Sequence, residues 1–152
     1  MTAALTNRGK LRIAQDGWGN LDAHALVIAD ADTVPAGAYA ATLNTVADLL
    51  AVVGVTEATN ATGTGYARVA LTGEAVLEDD TGNLANLDAA DLSYTAVDAG
   101  RWVSVAIYAE AGSSATDATR DLIGVFDLDS ALVTNGGDVS LTVPTNGLIG
   151  LS

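Results

Sequence analysis

The segment RWVSVAIY, residues 101–108, gives the clearest structural signal in the chain because its side chains alternate with a period of two. In an extended strand, such alternation sends successive side chains to opposite faces. One face receives Val103, Val105 and Ile107, and the other receives Trp102, Ser104 and Tyr108. The pattern therefore predicts a strand with two different faces.

Several other segments repeat this alternation. It is clear in residues 66–77, 122–128 and 139–143, and weaker in residues 26–28 and 92–97. Clusters of Asp, Asn, Gly and Ser separate these segments, as expected for turns between strands. We therefore expect an all-β fold, a β-sandwich or barrel of six or more short antiparallel strands.

Two further local signals refine this prediction. Asn135-Gly136 predicts a hairpin with a type I′ turn, because both central residues of that turn need a positive φ. Apolar residues recur at helical spacing in residues 42–53, where Thr42 or Asn44 is a possible N-cap. The fold should contain at most this one short helix.

Length and composition limit the class of protein. The 152 residues fit a single domain, and the 49% of hydrophobic residues are mostly Ala, Val and Leu, with one Phe and two Trp. Because Cys is absent, neither a disulfide nor a thiolate metal site is possible. The sequence also lacks a long apolar run and a secretory signal pattern, so we expect neither membrane spanning nor secretion by that route.

Charge is distributed unevenly along the chain. The net charge is -13, yet residues 1–15 contain Arg8, Lys10 and Arg12 and no acid. We therefore divide the chain into a basic N-terminal arm, residues 1–15, and a single β-rich domain, residues 16–152. The arm is either a solvated end or a contact with an acidic neighbour. The acidic body disfavours nucleic acid and anionic membranes as partners.

Residues that carry enzyme chemistry are sparse. His24 is the only histidine, and no nucleophile motif accompanies it, so we interpret it as a structural or surface residue. Asp79 and Asp80 offer oxygen ligands for a hard cation, although a solvated acidic turn explains them more simply. We expect no catalytic residue, cofactor or metal, and leave open whether a cation binds near these two aspartates.

Three arginines stand out in the acidic body. Arg68, Arg101 and Arg120 each lie on or beside a predicted strand. A guanidinium group pairs with a carboxylate through two parallel hydrogen bonds. The favoured interpretation is an ion pair within the same chain, and the alternative makes these three residues candidates for ion pairs between subunits.

Six short motifs follow one another between residues 25 and 152. They are GYAR at 65–68, LDAADL at 87–92, AIY at 106–108, DATRDLI at 117–123, TNGGD at 134–138 and PTNG at 144–147. In order and spacing, this series resembles a family of small structural proteins of tailed bacteriophages, described as minor capsid or head decoration proteins. The resemblance implies a β-rich, non-enzymatic virion protein that binds the outside of the head shell, often as a symmetric oligomer.

We therefore expect a capsid decoration or cementing protein on the outer surface of the virion capsid, with the major capsid protein as its partner. Arg8, Lys10 and Arg12 are the capsid-contact candidates, although they lie outside the resembling region. A homo-oligomer is expected, with a trimer as the first choice, because head shells offer threefold sites. The alternatives are a tail or fibre component that contacts the host surface, and a carbohydrate-binding module with a pocket lined by Trp18, Trp102 or tyrosines.

Overall fold

The computed structural model describes residues 2–29, 42–59, 65–82, 84–145 and 147–151. Within these ranges, the helices are α1 (Asn7–Asp16), a 3-10 helix (Trp18–Asn20) and α2 (Val46–Leu50). The strands are β1 (Thr2–Leu5), β2 (Ala23–Ala29), β3 (Thr56–Glu57), β4 (Val69–Ala70), β5 (Ala75–Asp79), β6 (Leu84–Asp88), β7 (Leu92–Tyr94), β8 (Gly100–Ala109), β9 (Asp121–Thr134), β10 (Val139–Leu141) and β11 (Ile149–Leu151). The all-β prediction is confirmed, and α1 is a helix in addition to the short one expected within residues 42–53.

A six-stranded antiparallel sheet forms the centre of the fold. Its strand order is β1-β9-β8-β2-β3, and β4 also pairs with β2. β8 and β9 are the longest strands, with 10 and 14 residues, and they pair with each other along most of their length. β1 pairs with the other side of β9, and β2 pairs with the other side of β8.

Two smaller antiparallel sheets, β11-β6-β5 and β10-β7, complete the strand architecture. The larger hydrophobic core combines residues of these small sheets with residues of the main sheet. Its most buried members include Trp18, Ala25, Val27, Leu87, Ile107 and Phe126. Removing these side chains from water is the main force that holds the layers together, and the result is a sandwich-like arrangement.

Helix α2 contributes to a second core on the main sheet. This core contains Leu26, Ile28, Val46, Leu49, Tyr108 and Leu122. Successive residues of β2 alternate between the two cores, since Ala25 and Val27 belong to the larger one. The main sheet is therefore buried on both faces.

The start of α2 is fixed by a capping box. The Thr45 hydroxyl accepts a hydrogen bond from the Asp48 N–H at 3.1 Å, and the Asp48 carboxylate accepts one from the Thr45 N–H at 3.0 Å. The two groups satisfy each other's backbone donors at the helix start. A helix does form within residues 42–53, but its N-cap is neither Thr42 nor Asn44.

Strand β8 departs from a strict two-residue period. Val105 and Ile107 face the larger core together, but Trp102 shares that core while Val103 packs on the α2 side. Between Ser104 and Trp102, β8 advances two residues while its partner β2 advances one. Such a bulge reverses the alternation, so the predicted faces are wrong for Trp102 and Val103.

The first residues of the chain are part of the folded domain. β1 pairs with β9, and the buried Thr6 caps α1 by accepting a hydrogen bond from the Gly9 N–H at 2.7 Å. Gly9 lies so close to β9 that an added Cβ would stand 2.2 Å from the Ile123 carbonyl oxygen. The predicted boundary after residue 15 falls inside α1, so this basic segment packs on its own domain.

The Asn135-Gly136 segment does not close a hairpin. The preceding strand, β9, belongs to the main sheet, whereas the following strand, β10, pairs with β7. Gly136 has a φ of +92°, but Asn135 is not in the positive-φ region. The Gly136 N–H donates to the Val97 carbonyl at 2.8 Å, and the Val97 N–H donates to the Gly137 carbonyl at 3.0 Å. The hairpin prediction is wrong because the segment connects two sheets.

Candidate functional site

A half-buried ionic cluster gathers five charged side chains around the ring of Tyr108. Its members come from β3, from the segment before β4, from β8, and from the connection between β8 and β9. They are Glu57, Arg68, Tyr108, Glu110, Asp117 and Arg120. We call these six residues the Tyr108 cluster. They are scattered in sequence, and the fold brings them together.

Arg68 bridges two carboxylates of the cluster. Its Nε and Nη2 donate to the two Glu57 oxygens at 2.7 and 2.6 Å. Its Nη1 and Nη2 donate to the two Asp117 oxygens at 2.5 and 3.0 Å. The planar fork of an arginine suits such two-point contacts, and a lysine cannot reproduce them.

Arg120 completes the arrangement. Its Nε and Nη2 lie 2.8 and 2.7 Å from Glu110 Oε1, and its Nη1 donates to Asp117 Oδ1 at 2.8 Å. Asp117 therefore bridges the two arginines. The connection between β8 and β9 is thereby tied to the segment before β4.

Tyr108 lies against three nitrogen-containing side chains. The Cζ atoms of Arg68 and Arg120 each lie 5.5 Å from its ring centroid, within cation–π range. The His24 ring stacks on it at 5.6 Å between centroids, and His24 Nε2 lies 3.0 Å from Asp22 Oδ1. His24 thus packs beside the cluster on the neighbouring strand β2.

Hydrogen bonds between Arg68 and its carboxylate partners shift the pKa of both Arg68 and Asp117 toward the charged form. Hydrogen bonds from Arg68, and less strongly from Arg120, lower the pKa of Asp117 to about 2, against the opposing effect of burial. Hydrogen bonds to Glu57 and Asp117 raise the pKa of Arg68 above its usual value. Burial raises the pKa of Tyr66, whose hydroxyl donates to Glu57 at 2.9 Å. The cluster acts as an electrostatic clasp between segments.

Two of the three arginines have partners of the kind that the favoured interpretation expects. Arg68 and Arg120 pair with carboxylates of their own chain. Arg101 lies exposed on β8, opposite Val133 of β9. A role between subunits stays a prediction for all three arginines.

The capsid-contact candidates have separate structural environments. Arg8 Nε lies 2.7 Å from Asp121 Oδ1, and Arg12 Nε lies 3.1 Å from Asp121 Oδ2. Arg12 also pairs with Asp16 at 2.8 Å, whereas Lys10 is exposed on α1. Two of the three charges therefore help to hold α1 on β9, and Lys10 is the one best placed for an external contact.

The acidic turn after β5 is used by its own backbone. Asp79 Oδ1 accepts hydrogen bonds from the Thr81 and Gly82 N–H groups at 3.1 and 2.9 Å. In the described ranges, no three His, Asp or Glu side chains are grouped as a metal ion would need. The solvated-turn interpretation accounts for the position of Asp79.

An apolar cleft opens between the layers. It is lined by residues such as Leu71, Leu92, Ile107, Phe126, Leu141 and Val143, and contains about 30 Å³ of open space. A water needs about 10–15 Å³, whereas small-molecule pockets measure about 300–1,000 Å³. The cleft is therefore a packing gap.

Both tryptophans belong to the core. Trp18 and Trp102 are each 2% exposed, and Trp18 Nε1 donates to the Asp88 carbonyl at 2.8 Å. Trp102 makes edge contacts with Tyr66 and Tyr94 at 6.0 and 5.0 Å. Sugar-binding modules stack their ligand on accessible aromatic rings, so these burial values count against that alternative.

The chain matches no family model, no curated protein and no solved structure. The resemblance to phage structural proteins therefore rests on the six motifs. Three of them meet in the Tyr108 cluster: GYAR supplies Arg68, AIY supplies Tyr108, and DATRDLI supplies Asp117 and Arg120. None of the helices in the described ranges is long and apolar enough to span a membrane.

Sequence reasoning missed the carboxylate partners of the arginines. Glu57 and Glu110 lie outside the six motifs, and no local pattern distinguishes them from the other acids. Asp117 was findable in principle, because it precedes Arg120 by three residues within one motif. Asp121 forms ion pairs with Arg8 and Arg12. It follows Arg120 directly in the sequence, and no sequence pattern identified it as the partner of the N-terminal arginines.

Proposed function

We propose that this chain is a non-enzymatic structural protein of a tailed-bacteriophage virion that decorates the outer surface of the head by binding the major capsid protein. The observation that carries the proposal is the meeting of three resembling motifs in the Tyr108 cluster. The charged residues of these motifs form ion pairs that join the β8–β9 connection to the segment before β4. Their role in the fold is therefore structural, as expected for a virion protein without enzymatic activity.

The distribution of charge supports a binding role. Arg8, Arg12, Arg68 and Arg120 are engaged with carboxylates of the same chain, while the net charge is -13. The protein therefore presents an acidic surface, which suits a partner surface of opposite charge and keeps decorated particles apart.

Rigidity supports the same role. The main sheet is buried on both faces, and the clasp fixes the connection between its two longest strands. A decoration protein contributes stiffness and contact area, and a sheet buried on both faces with a fixed β8–β9 connection supplies the stiffness.

The rival from the same setting is a tail or fibre component that contacts the host surface. The fold is equally compatible with a tail or fibre component. The number of copies per particle distinguishes such a component from a head decoration protein. A head lattice repeats its binding sites by symmetry, so decoration requires on the order of hundreds of copies per particle, whereas a tail component is present in a handful.

The test is a binding titration onto purified heads that lack this protein. Bound chain is measured by quantitative gel densitometry after sedimentation of the particles. We expect saturable binding at a copy number that follows the symmetry of the shell. Absence of binding to heads, or saturation at a few copies, contradicts the proposal.

A matched pair of variants tests the role of Lys10 in this binding. Lys10→Gln and Gln15→Glu each make the net charge more negative by one, and both positions are exposed on α1. We expect Lys10→Gln to weaken head binding more than Gln15→Glu. Equal affinities would remove Lys10 from the contact.

A further inference from the structure

Two uncharged sheet edges lie side by side in this fold. β1, with the sequence TAAL, ends the main sheet, and β11, with the sequence IGL, ends the sheet β11-β6-β5. The two strands are neighbours, with Cα atoms within 8 Å of one another. Neither contains a charged residue or a proline, although charge and proline are the usual means of blocking a sheet edge.

The opposite ends of these two sheets are protected. β3 and β4 are only two residues long, and β3 carries Glu57, which is engaged by Arg68. β5 carries Glu78 and Asp79. Short strands and charges both discourage pairing with another chain. Short strands and charges therefore lie at one end of each of these two sheets, and among the described residues no strand pairs with the outer side of β1 or of β11.

The backbone of β1 is oriented for such pairing. The Thr6 N–H donates to the Ile123 carbonyl of β9 at 2.9 Å. Since amides point alternately to either side of an antiparallel strand, the Ala4 N–H also faces β9, while the Ala3 and Leu5 N–H groups point away from it. β1 pairs with β9 without a register shift, and no described strand pairs with its outer side.

Charge favours a second copy of this chain as the occupant. Residues 1–15 contain no acid, whereas the rest of the chain carries -16. Arg8 and Arg12 are neutralised by Asp121 and Asp16, so little net charge remains beside β1. Two copies would repel each other over most of their acidic surface, and the β1 side is where they meet with the least repulsion.

We propose that two copies pair through β1 about a twofold axis that passes near Ala4. In this register, Ala3 of each copy lies opposite Leu5 of the other, and their outward-pointing groups exchange about four hydrogen bonds across the dimer. The main sheet then continues from one copy into the next. Self-pairing of this kind produces dimers, in contrast to the trimer expected from shell symmetry, and it does not depend on head binding.

The test is sedimentation velocity of the full chain at concentrations from about 10 μM to about 1 mM, a range that detects even weak association. We expect the mass to rise with concentration from 15.2 kDa toward twice that value. Ala3→Pro removes an outward N–H and no bond to β9, so it should remain monomeric with an unchanged unfolding temperature. Ala3→Ser keeps the N–H and should associate as the wild type does.

Hydrogen exchange provides a readout without a variant. In the wild type, protection of the Ala3 and Leu5 amides should increase with protein concentration, while protection of the Ala4 amide should change little. A monomer throughout the range, a trimer, or normal association of a folded Ala3→Pro variant would overturn the inference. If a monomeric chain binds heads, the proposed function holds and the dimer proposal fails. If the chain forms dimers but does not bind heads, the dimer proposal holds and the proposed function fails.

Discussion

Replacing Arg68 with methionine removes a central cation from the Tyr108 cluster while keeping much of the side-chain volume. The change deletes four hydrogen bonds of 2.5 to 3.0 Å to Glu57 and Asp117. It also leaves the two carboxylates half-buried with one partner fewer. Asp117 retains Arg120, and Glu57 retains the Tyr66 hydroxyl.

The expected cost lies between the values for buried and for solvent-exposed ion pairs. Breaking a buried pair costs about 3–5 kcal/mol, and an exposed pair contributes about 0–1 kcal/mol. The Arg68 side chain is 19% exposed and that of Asp117 is 33% exposed. We therefore expect Arg68→Met to lower the free energy of unfolding by about 2–3 kcal/mol.

Urea unfolding followed by tryptophan fluorescence measures this loss, because both tryptophans are buried in the native state. The midpoint should fall by about 1 M. Arg68→Lys should recover only part of the loss, since lysine lacks the fork. The control Lys10→Met, at an exposed site, should stay within about 0.5 kcal/mol of the wild type. If Arg68→Met lowers the free energy of unfolding by no more than Lys10→Met does, the stabilising role of the cluster is refuted.

Three further predictions test other parts of the structure. Because the pKa of Asp117 is lowered from 3.8 to about 2 in the folded state, the stability it contributes is present above pH 3.8 and disappears as the pH falls toward 2. Acid titration of unfolding should show this loss in the wild type and a smaller one in Asp117→Asn. Gly9→Ala should cost about 1–3 kcal/mol by forcing a methyl group into β9, although alanine favours helices. Gly19→Ala is its control, because there the new Cβ lies 3.6 Å from its nearest neighbour; equal effects in thermal melts would contradict the packing argument. Tyr94→Phe should change stability by less than about 0.5 kcal/mol, because the buried hydroxyl has no hydrogen-bond partner among the described residues, whereas Tyr66→Phe should cost about 1 kcal/mol or more. The reverse order in chemical denaturation would count against these contacts.

Alternating segments such as those of β8 and β9, separated by turn residues, were sufficient to predict the all-β fold class. Side chains such as Val105 and Ile107 fall on one face because the pleat of a strand has a period of two. The bulge at Val103 could not be predicted from the sequence, because it depends on how β2 pairs with β8 and no residue type at this position indicates a bulge. Local patterns specify elements, whereas register is decided by partners distant in sequence.

The same limit applies to the N-terminal segment and to the candidate site. The sequence predicted a separate basic arm around Arg8 and Arg12. Their common ion-pair partner, Asp121, lies more than one hundred residues away in the chain, so its proximity could not be seen in the sequence. Arg68 was recognised as an ion-pair candidate from its type and setting, but its partner Glu57 is one of 19 acids and carries no distinguishing signal. Residue chemistry predicted that pairs would form, and only the fold determined which.

Head decoration by this chain is best tested by a cryo-electron microscopy map of intact virions. We expect β-sandwich density that fits this structure on the outer surface of the head, repeated at symmetry-related positions and in contact with the major capsid protein. Density for the chain confined to the tail or its fibres, or a head surface without it, would contradict the account.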